Sequence, residues 1–436
     1  MGIRSFGALS TSLALQIFQV MRLGSVILTS ILLARSGLST SEIGHYELLL
    51  YIGTTMTFFW VNGLLQGMPP VYGRLDESDR KAFIFNNFLV FCGISAGLYL
   101  LLVSGGTSVA FLLTGQPSVP YYGLFCLYLL LNLPTFPVEY YYLLKGKPLQ
   151  IVIWGGVAFG LHIVALYLPV YLGYGLFGGF TALIVLAAAK LLWTFFLALR
   201  LGKPVWRIDL VRHYLKFSFP LTINVLVGNL ILLFDNWLVG WHYRDEAVFA
   251  VFRYGSREFP IATALATALG VAMVPKLSAD LASGLSELRS KSRRLMHLVF
   301  PLTAVLMFVA GPLFPLVFNP DFAASAPLFN IYLLVTASRM LLPNAIVLAM
   351  GMPRLILGVG LIELAVKVVL GYLFIQWWGL PGLAWSVVVA FWVEKLALIL
   401  LLERRSVRTA DWLDLRWYLA YLLLLAATFT LSLPPR

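Results

Sequence analysis

The chain has 436 residues, of which 60% are hydrophobic and 11% charged, with a formal net charge of +12 and a mean hydropathy of +0.89. Soluble domains average about 45–50% apolar residues, so a chain this poor in charge cannot cover itself with polar surface, and a soluble globular fold is excluded. Runs such as LALQIFQVMRLGSVILTSILLA do not alternate as the strands of a membrane β-barrel do, which leaves an all-α polytopic membrane protein.

Twelve apolar segments follow in chain order, near 10–34, 43–67, 82–104, 119–143, 149–171, 179–200, 213–240, 246–274, 294–317, 322–350, 354–377 and 381–402. Each reaches the roughly 20 residues that cross a hydrocarbon core. The first outlasts a signal peptide's apolar region and lacks a small-residue cleavage site, so it reads as a retained helix. A thirteenth stretch, 416–433, is short and ends at Pro434 and Pro435; it either spans or lies at the interface. Cys92 and Cys126 fall inside apolar segments and read as small buried side chains.

The basic stretch 201–212 separates two sets of six segments. The expected organisation is an N-terminal lobe over 1–200, a cytoplasmic linker over 201–212, a C-terminal lobe over 213–403 and a tail over 404–436. A loose echo between TSEIGHYELLLYIG (40–53) and DEAVFAVFRYGSREFP (245–260) fits two pseudosymmetric halves, a common transporter plan. No loop is long enough for an extramembrane catalytic domain, which disfavours an enzyme, including a membrane glycan polymerase or ligase.

Lysine and arginine crowd the even-numbered loops, among them Arg74, Arg80, Lys81, Lys145, Lys147, Arg200, Lys203, Arg207 and the run Arg289 to Arg294. The odd-numbered loops offer only Arg35 and Arg244. By the positive-inside rule the N-terminus and the even loops are cytoplasmic. The basic excess is then a topology signal and a contact for membrane lipids, and no phosphate loop or aromatic-basic motif points to nucleic acid.

Charges inside the segments carry the functional reading, because a central charge costs about 2.5–3.5 kcal/mol on insertion scales. Lys216 and Lys395 lie near segment ends and can snorkel, with Glu394 beside Lys395. Glu139 reads as interfacial, and Glu363 and Lys367, four apart, read as a helix ion pair or a functional pair. Lys190, mid-segment without a local acid, is a further candidate, as is Lys367.

Arg22, Arg253, Arg257 and Arg339 are harder to place as structural charges. Arginine stays protonated and cannot shed the cost. Arg253 and Arg257 sit four apart, on one face of the expected eighth helix, about 10 and 15 Å below the outer face. Like charges there repel when empty and are relieved by a doubly charged guest; guanidinium forks suit phosphate oxygens. These four arginines are therefore the expected lining of a polar cavity that binds an anion. Asp235, Glu258 and Glu47 are the outer-half acids that could take a proton or sodium ion. No cofactor is expected, and coupling to protons, sodium or the membrane potential stays open. Pro220, Pro260, Pro312, Pro315 and Pro343 are expected to kink their segments, with Gly255 and Pro260 making the eighth a bending element.

Two stretches, GLSTSEIGHYELLLYIGTTMTFFWVNGLLQGMPPVYGR (37–74) and FDNWLVGWHYRDEAVFAVFRYGSREFPIATALATALGVAMVPKLS (234–278), resemble the Wzx-type polysaccharide and O-antigen flippases of the MOP (MATE-like) exporter superfamily. The resemblance implies two six-helix lobes around a central cavity. It implies a flippase that moves undecaprenyl-diphosphate-linked oligosaccharide from the cytoplasmic to the outer leaflet of the bacterial inner membrane by alternating access, together with other glycan assembly proteins. Related lipid II flippases carry cavity arginines in helices one, two and eight; Arg22 matches the first position, and Arg253 or Arg257 the eighth. The second helix has Glu47, Asn62 and Gln66 instead of arginine, Leu23 follows Arg22 where an acid is usual, and two further C-terminal helices are lacking. These departures favour a capsule or O-antigen repeat unit over lipid II. A MATE-like multidrug or cation antiporter is the alternative within the same superfamily.

Overall fold

The computed structural model describes residues 10–432, the side chains of Ile231 and Leu232 excepted. Pro434 and Pro435, at which the sequence closes its thirteenth stretch, lie outside the described residues. Among the described residues every element is helical, as the uninterrupted apolar runs require. Among the described residues nine helical stretches are long and apolar enough to cross a membrane, or ten if Ile208–Leu230 and Leu233–Tyr243 form one span. Two of the nine, Pro148–Leu201 and Pro353–Glu403, have 54 and 51 residues, far more than one crossing needs. Each is broken by glycines with positive φ: Gly173 (88°) and Gly175 (59°) in the first, Gly379 (64°) in the second. Glycine alone enters that region without a Cβ penalty, so the chain reverses there.

The chain divides into two compact units, Met1–Phe249 and Ala250–Arg436. The first holds α1 (Thr11–Ala34), α2 (Thr40–Gly73), α3 (Glu77–Ser104), α4 (Gly106–Thr114), α5 (Tyr122–Asn132), α6 (Val138–Leu144), α7 (Pro148–Pro169), α8 (Gly175–Leu201) and α9 (Ile208–Tyr243). The segment expected over 119–143 is broken at Pro134 and Pro137, where a short 3-10 turn (Leu133–Thr135) joins α5 to α6. α1 packs along α7, α7 along α8, and α2 along α9. The α2–α9 seam rests on Gly63 and Gly67, one turn apart. A Cβ on either would collide with Thr222 or Ser218 of α9, so the backbones approach as closely as small residues allow. Tyr214 adds a hydroxyl that donates to the Leu64 carbonyl at 2.8 Å.

The unit boundary falls later than the 201–212 linker at which the sequence divides the lobes. The linker is stitched to α3: Lys203 N donates to Lys81 O at 3.0 Å, and Asn86 Nδ2 donates to Val205 O at 2.7 Å while its Oδ1 accepts from Arg207 N at 3.0 Å. Arg207 also pairs with Asp79 at 3.1 Å and Asp209 at 2.7 Å. With α9 packed on α2, the linker and the helix after it belong to the first compact unit.

The second unit holds most of α10 (Glu246–Gly255), then α11 (Pro260–Ala279), α12 (Leu281–Val317), α13 (Ser325–Leu333), α14 (Val335–Arg339), α15 (Pro343–Ala349), α16 (Pro353–Glu403), α17 (Thr409–Trp412) and α18 (Leu415–Ser432). Its core gathers Met296, Phe300, Met307, Ile346, Leu398 and Trp412, each at most 1% exposed. The thirteenth stretch is a helix, α18. It packs along α12, stacks Tyr421 on Phe300 with ring centroids 5.1 Å apart, and donates from the Tyr418 hydroxyl to the Ala337 carbonyl at 2.9 Å.

The continuous eighth helix expected over 246–274 is corrected: the chain is not helical between Gly255 and Pro260. Proline lacks the N–H the helix needs and pushes the preceding Phe259 to extended geometry, with ψ at 103°. Gly255 sits against the Ser325 backbone, where a Cβ would be 2.7 Å from the carbonyl oxygen. Arg253 therefore lies on a helix and Arg257 in the break, and the two do not share a helical face. The tenth segment breaks likewise between Arg339 and Pro343.

Gly67→Val is expected to lower stability by about 1–3 kcal/mol through overpacking of the α2–α9 seam. Gly93→Ala, inside α3 with open space around the added Cβ, is expected to keep stability or raise it by up to about 1 kcal/mol. Thermal unfolding of the purified variants in detergent, followed by near-ultraviolet circular dichroism, checks both.

Candidate functional site

The sequence-predicted residues divide between the units. Arg22, Lys190, Glu47 and Asp235 belong to the first; Arg253, Arg257, Glu258, Arg339 and Lys367 belong to the second.

In the first unit a cavity of about 700 Å³ opens among α1, α2, the α5–α6 turn, α7 and α8. Its polar lining is Gln19 and Arg22 from α1, Thr54, Thr57 and Asn62 from α2, Thr135, Glu139 and Lys190. Phe18, Phe58, Phe136 and Trp154 supply aromatic walls. The helices aim these groups inward because their other faces are committed. α1 buries Ala14 and Phe18 on α7, where Phe18 and Met21 fill the notch left by Gly155, and this turns Arg22 to the open side. Among the described residues neither Arg22 nor Lys190 makes an ion pair. Lys190 Nζ donates to Asn132 Oδ1 at 2.6 Å, a contact that fixes its head without cancelling its charge. The fields of Arg22 and Lys190 both bear on the Glu139 carboxylate, which is 7% exposed.

Glu139 is thus a cavity residue and not the interfacial group the sequence reading made of it. Its signal was the pair of prolines, Pro134 and Pro137, that break the segment just before it and turn α6 toward the cavity. Lys190, a secondary candidate in the sequence, is one of the two principal cations here. Glu47 and Asp235, both buried, do not line this cavity.

The second unit handles its charges differently. Arg339 forms a two-point ion pair with Glu258: Nε donates to Oε2 at 3.1 Å and Nη2 to Oε1 at 3.0 Å. Its guanidinium also lies 4.2 Å from the centroid of the Phe391 ring. Glu258 is held in turn by the Thr263 hydroxyl at 3.3 Å. Arg257 sits over the Tyr254 ring at 5.3 Å, and Arg253 is half-buried on α10. Lys395 pairs with Glu394 at 2.8 Å, and Asn344 Nδ2 donates to the same carboxylate at 3.0 Å. Lys367 and Glu363, both buried on α16, complete the cluster, with the charges of Glu394, Lys395, Lys367 and Arg339 all acting on Glu363. Arg339, Lys395, Asn344 and Thr267 share a smaller cavity of about 240 Å³. Among the described residues no group of three or more His, Cys, Asp or Glu side chains is placed to hold a metal ion.

Long apolar helices of this number define a multi-pass membrane bundle, and its first unit carries a cavity with charged and polar groups in its wall. The chain is similar to the lipid II flippase MurJ in its inward closed conformation, with a TM-score of 0.70 at 16% identity over 96% of this chain and 93% of that one. It is also similar to an inward-facing multidrug MATE transporter of the MOP superfamily (TM-score 0.59, 14% identity, 98% and 100% covered) and to a variant of the Vibrio cholerae MATE transporter VcmN (0.53, 16%, 90% and 98%). These neighbours are transporters and flippases, and their fold is the fold of this chain. No family model and no curated protein matches the sequence.

Removing one partner of the Arg339–Glu258 pair strands a charge, whereas removing both does not. A double-mutant cycle of Arg339→Met and Glu258→Gln is expected to give a coupling of about 1–3 kcal/mol in thermal or denaturant unfolding, with the double variant more stable than the sum of the singles implies.

Proposed function

We propose that this protein is a flippase that moves an oligosaccharide joined by a diphosphate to a long lipid from the cytoplasmic to the outer leaflet of a bacterial inner membrane, by alternating access, with its N-terminus in the cytoplasm. The observation that carries the reading is the first unit's cavity. Two cations without ion-pair partners face one carboxylate, among hydroxyls and carboxamides suited to sugar. Arg22 offers a planar fork to the diphosphate, and Lys190 a point charge held in place by Asn132. The similarity to a lipid II flippase across nearly the whole chain supports a lipid-linked guest. A capsule or O-antigen repeat unit remains the preferred cargo, because α2 brings Asn62 and no arginine to the cavity. An inside-negative potential would favour outward movement of the anion by about 2.3 kcal/mol per charge per 100 mV.

A MATE-like exporter of organic cations is the second reading. Glu139 and the aromatic walls of Phe58, Phe136 and Trp154 favour it.

Arg22→Gln and Lys190→Gln, at normal protein levels, are each expected to cut transfer of a lipid-diphosphate oligosaccharide in proteoliposomes by about tenfold or more, the worth of one charge-assisted phosphate contact. Arg405→Gln, on an exposed loop, is expected to have no effect. Full transfer by both cavity variants would refute the role of Arg22 and Lys190 in holding the diphosphate, and transfer by the wild type no faster than in protein-free liposomes would refute the flippase reading. Efflux of a cationic dye that Glu139→Gln abolishes would establish the exporter in its place.

A further inference from the structure

A second cavity of the first unit lies on the outer side of the α7–α8 pair. It is a groove of about 510 Å³ whose walls, Ile153, Val157, Leu161, Trp193 and Phe196, are exposed and apolar. One end carries Lys147 and Arg200, both exposed and, among the described residues, without an ion pair. Ten residues up α8, about 15 Å along the axis, Lys190 also reaches the groove. Lys190 and Trp154 line both the groove and the polar cavity, so the two spaces meet at those side chains.

An apolar trough with a cationic end matches one kind of molecule, an amphiphile with a phosphate at the end of a long hydrocarbon chain. We infer that the α7–α8 groove is the docking site for the single hydrocarbon tail of a lipid phosphate, with the phosphate first held by Lys147 and Arg200. From there Lys190 leads the polar head past Trp154 into the cavity that holds Arg22. The junction decides between occupants. A two-tailed phospholipid has its phosphate satisfied at the basic end and no head large enough to use the opening. A lipid whose phosphate carries an oligosaccharide uses both spaces at once. The inference rests on the flippase reading for the second step and not for the first.

The test is retention of a polyprenyl monophosphate, which carries no sugar, by the full-length protein in phosphatidylcholine nanodiscs, measured by native mass spectrometry. The Lys147→Gln/Arg200→Gln double variant is expected to retain about tenfold less. Val157→Trp, which fills the trough and leaves every charge in place, is expected to lower retention similarly while eluting from size exclusion as the wild type does. Lys203→Gln, outside the groove, is expected to retain the wild-type amount. Wild-type retention by both groove variants overturns the docking site, as does displacement of the polyprenyl phosphate by an equal concentration of phosphatidylglycerol. Groove-dependent retention in a protein that fails to transfer lipid-linked oligosaccharide leaves the docking site standing and removes the flippase reading alone.

Discussion

The cost of keeping a permanent charge out of water governs this molecule. Every helix that crosses a hydrocarbon core is selected against charge, and every charge that persists there needs a partner, a dipole or a wet space. The second unit answers with partners: Glu258 for Arg339, Glu394 for Lys395, and an aromatic face for Arg257. The first unit answers for Arg22 and Lys190 with a broad cavity, mostly apolar in its wall but carrying hydroxyls, carboxamides and Glu139, and with the Asn132 carboxamide.

Helix breaks are the second half of that answer. Backbone that leaves the helix at membrane depth exposes polar groups that only protein or water can satisfy. Both members of the Arg339–Glu258 pair sit at such breaks, Glu258 between α10 and α11 and Arg339 at the end of α14. A guanidinium and a carboxylate therefore meet where the fold already has to supply polar surroundings. Pro260 and Pro343 fix the positions of the breaks, and Gly255 lets the chain pass close to Ser325. In the first unit, Pro134 and Pro137 do the same for Glu139.

Most of the architecture was legible, because apolar runs of about 20 residues have few solutions in a bilayer. The breaks before Pro260 and Pro343 are legible as well, whereas Pro220 lies within α9 and Pro312 and Pro315 lie within α12 without breaking it. What the sequence could not show is which distant residues meet. Arg339 has no acid within four positions, and its counter-ion lies 81 residues earlier. A four-residue spacing puts Arg253 and Arg257 on one face only of an unbroken helix, and Pro260 ends that helix at Gly255. Glu139 looked interfacial because depth was counted along a straight segment, whereas the helix restarts at Val138. The seam through Gly63 and Gly67 went unread because close approach is a property of the partner helix as much as of the motif.

Cavity size explains why the two units treat arginine so differently. The first unit's cavity, about 700 Å³, is roughly three times the size of the second unit's, about 240 Å³. In the wider space Arg22 shares the cavity with Glu139 without forming an ion pair with it. In the narrower one hydration is incomplete, and only an ion pair with good geometry makes up the difference. The consequence concerns selectivity. On the proposed function, a guest entering the first unit would bind only if its own oxygens replaced the water around Arg22 and Lys190; charged phosphate oxygens would do this better than a neutral sugar, so the wide cavity would read the guest's charge, while the charge pairs of the second unit join its broken helices.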